Sequence, residues 1–155
     1  RNVKFRHIDL LDIDTTEKFS KFNHVMANPP HMKKGSVRPS PDPLKASANI
    51  ENNAVLLDWL TLSFKLVAMS GTVTFIHRYE RRDELITVME KYGSVTVFPI
   101  WSKKFGKIAR RVIIQCRKGV FNKTKVLEGL ILHRINGDYT ERANAILRDL
   151  SPIKI

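Results

Sequence analysis

The chain has 155 residues, 43% of them hydrophobic and 27% charged. That suits one globular domain with one core and excludes a chain disordered throughout. Its 27 lysines and arginines outnumber 15 acids for a net charge of +12, which points to a polyanionic partner, nucleic acid foremost. A single cysteine, Cys116, excludes an internal disulfide framework.

In chain order, Asn2 to Leu11 opens with Val3 and Phe5 alternating against Lys4 and Arg6. This predicts a strand that leads into the acidic turn Asp9-Leu10-Leu11-Asp12. A short polar connection follows, then a second strand over Phe22 to Ala27. Asn28-Pro29-Pro30 cuts that strand, because neither proline can donate a ladder hydrogen bond. The ring of Pro29 also pushes Asn28 toward an extended, stiff conformation. Residues 31 to 49 read as a long polar loop, entered at Pro30 and carrying Pro39, Pro41 and Pro43. A loop of that length in a small domain is a functional candidate.

Asn52 to Met69 is expected to be a helix, with Glu51, Asp58, Thr61 and Lys65 on its polar stripe and Ser70-Gly71 as its stop. Thr72 to His77 reads as the third strand. Asp83 to Tyr92 reads as a second helix, with Leu85, Val88, Met89 and Tyr92 on one face and Gly93 ending it. Strands Ser94 to Ile100 and Arg111 to Arg117 flank the basic loop "WSKKFGKIAR", and Cys116 falls in an alternating apolar run as a small buried residue. A last short strand is expected over Gly129 to Arg134, followed by an Asn-Gly-Asp turn. Asp138 and Glu141 stand at capping-box spacing before a short helix with Ala143, Ile146, Leu147 and Leu150 on one face.

Strands alternating with helices predict an α/β fold with a mainly parallel sheet, in which ligands sit at the carboxyl ends of the strands. Asn28-Pro29-Pro30 lies at such an end, and so does the Asp9-Leu10 turn. The five histidines, His7, His24, His31, His77 and His133, have no metal-ligand spacing, so no metal is expected. The longest apolar run, Val55 to Met69, contains Asp58 and Lys65 and does not read as a membrane span. No strongly amphipathic basic helix suggests a membrane partner. With no apolar leader at its start, the cytoplasm is the expected compartment.

The Asn-Pro-Pro turn offers a specific chemistry. A planar amino group is a poor nucleophile, because its lone pair is delocalised. The Asn28 side-chain oxygen and the Pro29 carbonyl are two acceptors on one rigid turn. Together they could hold both N–H groups and aim the lone pair at an electrophile. His31, next in the chain, could stack on a flat substrate.

"NPPH" resembles the NPPY motif of class I S-adenosylmethionine-dependent amino-methyltransferases. The resemblance extends along the chain to the bacterial tRNA adenine-N6 methyltransferase family that modifies a valine tRNA. "HIDLLD" is similar to that family's acidic strand-end motif, "DPLKASANIE" to the loop after the catalytic turn, "KKFGKIARRVIIQCRKG" to its basic hairpin, and "GDYTERANAILRD" to its C-terminal segment. The resemblance implies a Rossmann-like fold, mainly parallel with one antiparallel strand. It implies Asn28, Pro29, Pro30 and His31 as the catalytic turn, Asp9, Leu10 and Asn28 beside S-adenosylmethionine, and RNA, above all tRNA, as partner. Two basic clusters are expected to hold RNA phosphates: Lys33, Lys34 and Arg38, and Lys103, Lys104, Lys107, Arg110 and Arg111.

Three departures are visible. His31 stands where the family has Tyr, "KASANIE" lacks the Arg-His pair, and no G-x-G occurs anywhere. Residues 1 to 155 are therefore expected to match the C-terminal two thirds of one such domain, lacking its first two strands and glycine loop. A sheet begun that way would leave the edge of Phe22 to Ala27 bare, and self-association along it or mobility of the first ten residues would follow. Two further classes compete with the RNA methyltransferase: a non-catalytic RNA-binding relic and a protein-glutamine methyltransferase. Binding of S-adenosylmethionine separates the first from the enzyme. Labelled methyl transfer into tRNA or release factor separates the second.

Overall fold

A computed structural model of the chain describes residues 3–5, 7, 9–11, 19, 21–31, 54–103 and 108–155. The elements run β1 (Phe22–Ala27), α1 (Leu56–Leu66), β2 (Val67–Arg78), a 3-10 turn (Tyr79–Arg81), α2 (Arg82–Met89), β3 (Gly93–Trp101), β4 (Arg111–Lys118), β5 (Lys125–Val126), β6 (Leu130–Ile131) and α3 (Glu141–Leu147). They form one mixed α/β sheet in the order β1-β2-β4-β3-β5, with β6 also on β3. β1, β2, β3, β5 and β6 point one way and β4 the other.

The strand directions match a mainly parallel sheet with one antiparallel strand, but the antiparallel strand carries most of the pairing. The sheet's two longest ladders, β2–β4 and β3–β4, are antiparallel, and the β3–β5 and β3–β6 pairings are two residues long. Only residues 102–110 separate β3 from β4, too few for the crossover that parallel neighbours need.

Alternation along the strands gives the sheet two different faces. Val73 and Phe75 of β2, Val95 and Val97 of β3, and Val112, Ile114 and Cys116 of β4 pack with Leu56, Leu60 and Phe64 of α1 and Leu85 and Met89 of α2. The Phe64 and Tyr92 rings stack at 3.9 Å. On the other face a smaller core of Phe98, Ile100, Leu130 and Ala143 covers only the β3–β6 side, helped by Ile153 and Ile155. β1 is an edge strand, and Phe22 and Met26 on it are exposed.

α1 is shorter than the expected Asn52–Met69. It begins at Leu56, where the Asp58 carboxylate accepts from the Val55 N–H at 2.8 Å. It ends at Leu66 and passes straight into β2. Periodicity could not mark that junction, because the apolar run continues across it. Lysines from elsewhere satisfy the helix-end carbonyls: Lys118 donates to Phe64 O at 2.7 Å and Lys21 to Lys65 O at 2.6 Å. The expected stop at Ser70-Gly71 is instead an irregularity between Phe22↔Val67 and His24↔Thr72 in the β1–β2 ladder, with Ser70 at φ 60°. Gly71 fits there because a Cβ would lie 2.7 Å from the Asn23 carbonyl.

Three further expectations are corrected. Val3, Lys4, Phe5 and His7 lie outside the sheet, with Val3 and Phe5 exposed. Alternation alone does not make a strand where no ladder partner takes up its backbone groups. The strand over Gly129 to Arg134 contracts to Leu130–Ile131, and β5, too short and polar to give a period-two signal, was not anticipated. The cap of α3 is Thr140, whose hydroxyl accepts from Ala143 N at 3.2 Å, in place of Asp138, which pairs with Asn136 in the preceding turn.

Gly93 is held against β4 so closely that a Cβ would lie 1.9 Å from the Arg117 carbonyl oxygen. Backbone on both sides leaves nothing free to yield. Gly93→Ala is expected to lower unfolding free energy by about 3 kcal/mol, read from urea titrations.

Candidate active site

The carboxyl ends of β1, β2 and β3 and the start of β4 meet at one end of the sheet. Asn28-Pro29-Pro30-His31 leaves β1 there, with Pro29 buried and Asn28 exposed. Among the described residues the Asn28 amide takes no hydrogen-bond partner. Its place in the sequence is that of a side chain held out from a fixed turn.

What fixes the turn is His77, a fully buried imidazole on β2. Its Nε2–H donates to the Pro30 carbonyl at 3.2 Å. A carbonyl can only accept, so the bond sets which ring nitrogen carries the proton. The His31 ring stands edge-on to His77, with centroids 5.0 Å apart at 90°. Burial, then the neighbouring His77, Arg111 and Arg78, pushes the His31 pKa from 6.5 to about 4. His31 is therefore a neutral, half-buried ring at physiological pH. No local pattern of residues marks His77, whose role depends on where β2 lies beside β1.

The basic residues divide. Arg111 opens β4 at this same end, with Arg110 just before it, and Lys103 follows β3 there. Arg111 pairs across the ladder with Arg78, the last residue of β2. Arg78 was not among the expected residues, for a lone arginine at a strand end carries no pattern. Lys33, Lys34, Arg38, Lys104 and Lys107 lie outside the described residues.

Neither Asp9 nor Leu10 lines the cleft that Asn28 borders. Asp9 accepts from the Leu11 N–H at 2.9 Å within its own turn. Leu10 and Leu11 border a small crevice on α1 with Asp58, Thr61, Leu62 and Lys65. Asn28 instead lines an open cleft of about 660 Å³ on the other face, floored by Met26, Thr74, Ile76 and Ile113. Within that cleft His24 shares a 2.7 Å hydrogen bond with Thr72, and Gln115 donates to Thr74 at 3.1 Å.

Cys116 takes no part in this site. It is buried under α2, where its thiol donates to the Met89 carbonyl at 3.4 Å and burial pushes its pKa up to about 12. Among the described residues, no group of three His, Cys, Asp or Glu side chains gathers as for a metal, and no helix is long and apolar enough to cross a membrane.

No protein-family model matches the chain, and no curated protein does. Solved structures do. The chain resembles a predicted O-methyltransferase from Agrobacterium tumefaciens with a TM-score of 0.60 and 20% identity, over 81% of this chain and 50% of that one. It thus spans half the length of the protein it matches. A type I restriction-modification assembly matches at 15% identity over 86% of this chain and 30% of that one, with a TM-score of 0.38, too slight a likeness to argue from. The shared fold is methyltransferase-like, and the likeness concerns the fold alone.

Because folding lowers the His31 pKa, the unfolded chain takes up a proton near 6.5 that the folded site accepts only near 4. The site's stability is therefore full above pH 6.5 and falls as pH drops through about 4. NMR is expected to show the His31 ring neutral at pH 5.5. His31→Phe is expected to flatten the acid limb of the stability curve.

Proposed function

We propose that the chain carries the amine-holding part of an S-adenosylmethionine-dependent N-methyltransferase acting on an exocyclic amine in RNA, with adenine N6 in tRNA as the favoured target. The observation that carries the reading is the Asn28-Pro29-Pro30 turn at a strand's carboxyl end, fixed from below by His77 and flanked by Arg78 and Arg111. The methyltransferase-like fold supports it, and so does the net charge of +12.

In this reading the Asn28 side-chain oxygen and the Pro29 carbonyl accept the two N–H groups of the target amine. That holds the amine's lone pair off the ring plane. His31, neutral at physiological pH, offers a ring edge or face to the base without repelling a cation. Catalysis then comes from position and electrostatics. The amine takes the methyl as the C–S bond breaks and S-adenosylhomocysteine leaves, and the methylated amine loses its extra proton to water. No general base is therefore required on the chain. S-adenosylmethionine would supply an electrophilic methyl group on a sulfonium. Asp9 and Leu10 do not line the cleft that Asn28 borders: Leu10 sits against α1 and Asp9 accepts within its own turn.

That same placement of Asp9 and Leu10 favours one alternative, an RNA-binding domain that does not catalyse. Calorimetry with S-adenosylmethionine separates the two, since the alternative requires RNA binding without cofactor affinity.

The test is transfer of labelled methyl from S-adenosylmethionine into total tRNA by the full-length protein. Asn28→Ala is expected to reduce turnover by roughly two orders of magnitude while tRNA affinity holds. A variant with near-normal turnover would remove Asn28 from the mechanism. Label appearing in protein and not in RNA would move the substrate to a glutamine amide.

A further inference from the structure

Arg78 and Arg111 end β2 and begin β4 as directly opposed residues of the antiparallel ladder. Directly opposed side chains share one face, with Cα atoms about 4.5–5.5 Å apart. The alternation of β2 and β4 gives that face as the one bearing Ile76, Ile113 and Gln115, which Asn28 also borders. Two cations so placed repel each other, and like charges directly opposite destabilise a sheet.

Among the described residues, little offsets the pair. Glu80 reaches Arg78 only at 3.9 Å, and its side chain is 73% exposed. The Arg78 Nε is buried and meets no acceptor among the described residues. Arg111 spends one N–H on the neighbouring Arg110 carbonyl at 3.3 Å. His31 feels both arginines as positive neighbours, which places the pair beside the catalytic turn.

We infer that Arg78 and Arg111 form a binding site for one phosphate group, the backbone phosphate next to the base held at Asn28. Guanidinium groups suit this ligand because their planar N–H forks match phosphate oxygens. One phosphate between them would relieve the repulsion and give the Arg78 Nε an acceptor. It would also fix the register of the strand being modified, since phosphate contacts position a nucleic acid without reading its sequence. The inference rests on the RNA-directed reading of the site and adds to it the residues that set which nucleotide reaches Asn28.

The experiment compares the wild type with Arg78→Gln in the full-length protein. tRNA affinity is measured against salt, and thermal unfolding with and without inorganic phosphate. Arg78→Gln is expected to unfold at or above the wild-type temperature, because it removes a repulsion. It is also expected to bind tRNA about tenfold more weakly, with a log–log salt slope flatter by about 0.7. A structural arginine would give the reverse pattern, a lower unfolding temperature with unchanged affinity, and that result overturns the proposal while leaving the Asn28 reading intact. Stabilisation of the wild type by inorganic phosphate, lost in Arg78→Gln with tRNA affinity unchanged, would assign the site to free phosphate and overturn the RNA assignment. Wild-type protein without tRNA affinity would overturn both readings together.

Discussion

β4 lies antiparallel between β2 and β3, and the register of its two ladders decides where the rest of the molecule stands. It pairs Thr72 with Arg117 at one end and Arg78 with Arg111 at the other. With that register, Val112, Ile114 and Cys116 fall on the helix-covered face beside Val73, Phe75, Val95 and Val97. A slip of one residue would turn each of these apolar side chains to the opposite face. Burial of this core therefore holds the register. The register in turn holds the two arginines together at the end of the sheet, although their mutual repulsion opposes it.

The edge strand β1 depends on the same centre. Among the described strands it pairs with β2 alone, and the turn that follows β1 is tied to β2 by a hydrogen bond from His77 to the Pro30 carbonyl. Proline removes backbone donors but leaves its carbonyl, and here the carbonyl is what the neighbouring strand grips. The turn is thus rigid for two reasons: fixed φ at two successive residues, and an imidazole beneath them. On the proposed reading, such preorganisation means the acceptors need not be ordered when a substrate arrives.

Charge and chemistry divide between the faces. The helix-covered face is mainly apolar, and its buried His77 donates to the turn. The opposite face near β1 carries His24, Thr72, Thr74 and Gln115 in an open cleft, and its cations gather at the strand ends. Asn28 stands where these regions meet. Asp9 and Leu10 are not among the residues that line its cleft; Leu10 lies at α1 and Asp9 accepts within its own turn.

Much of this was legible in the residues alone. The strand over Phe22 to Ala27, its break at Asn28-Pro29-Pro30 and the apolar alternation around Cys116 are local. Proline has no N–H in any context, and a period of two is visible within one segment. The α/β class and the excess of positive charge follow from composition and element order. Tertiary structure alone decided the rest. The end of α1 at Leu66 depends on lysines at positions 21 and 118, and the failure of Val3, Lys4, Phe5 and His7 to join the sheet on the lack of a ladder partner among the described strands. The roles of His77 and Arg78 depend on which strands lie beside them. A sequence fixes each residue's chemistry and its local period, but a hydrogen bond or a repulsion between strands requires a distance, and folding alone supplies it.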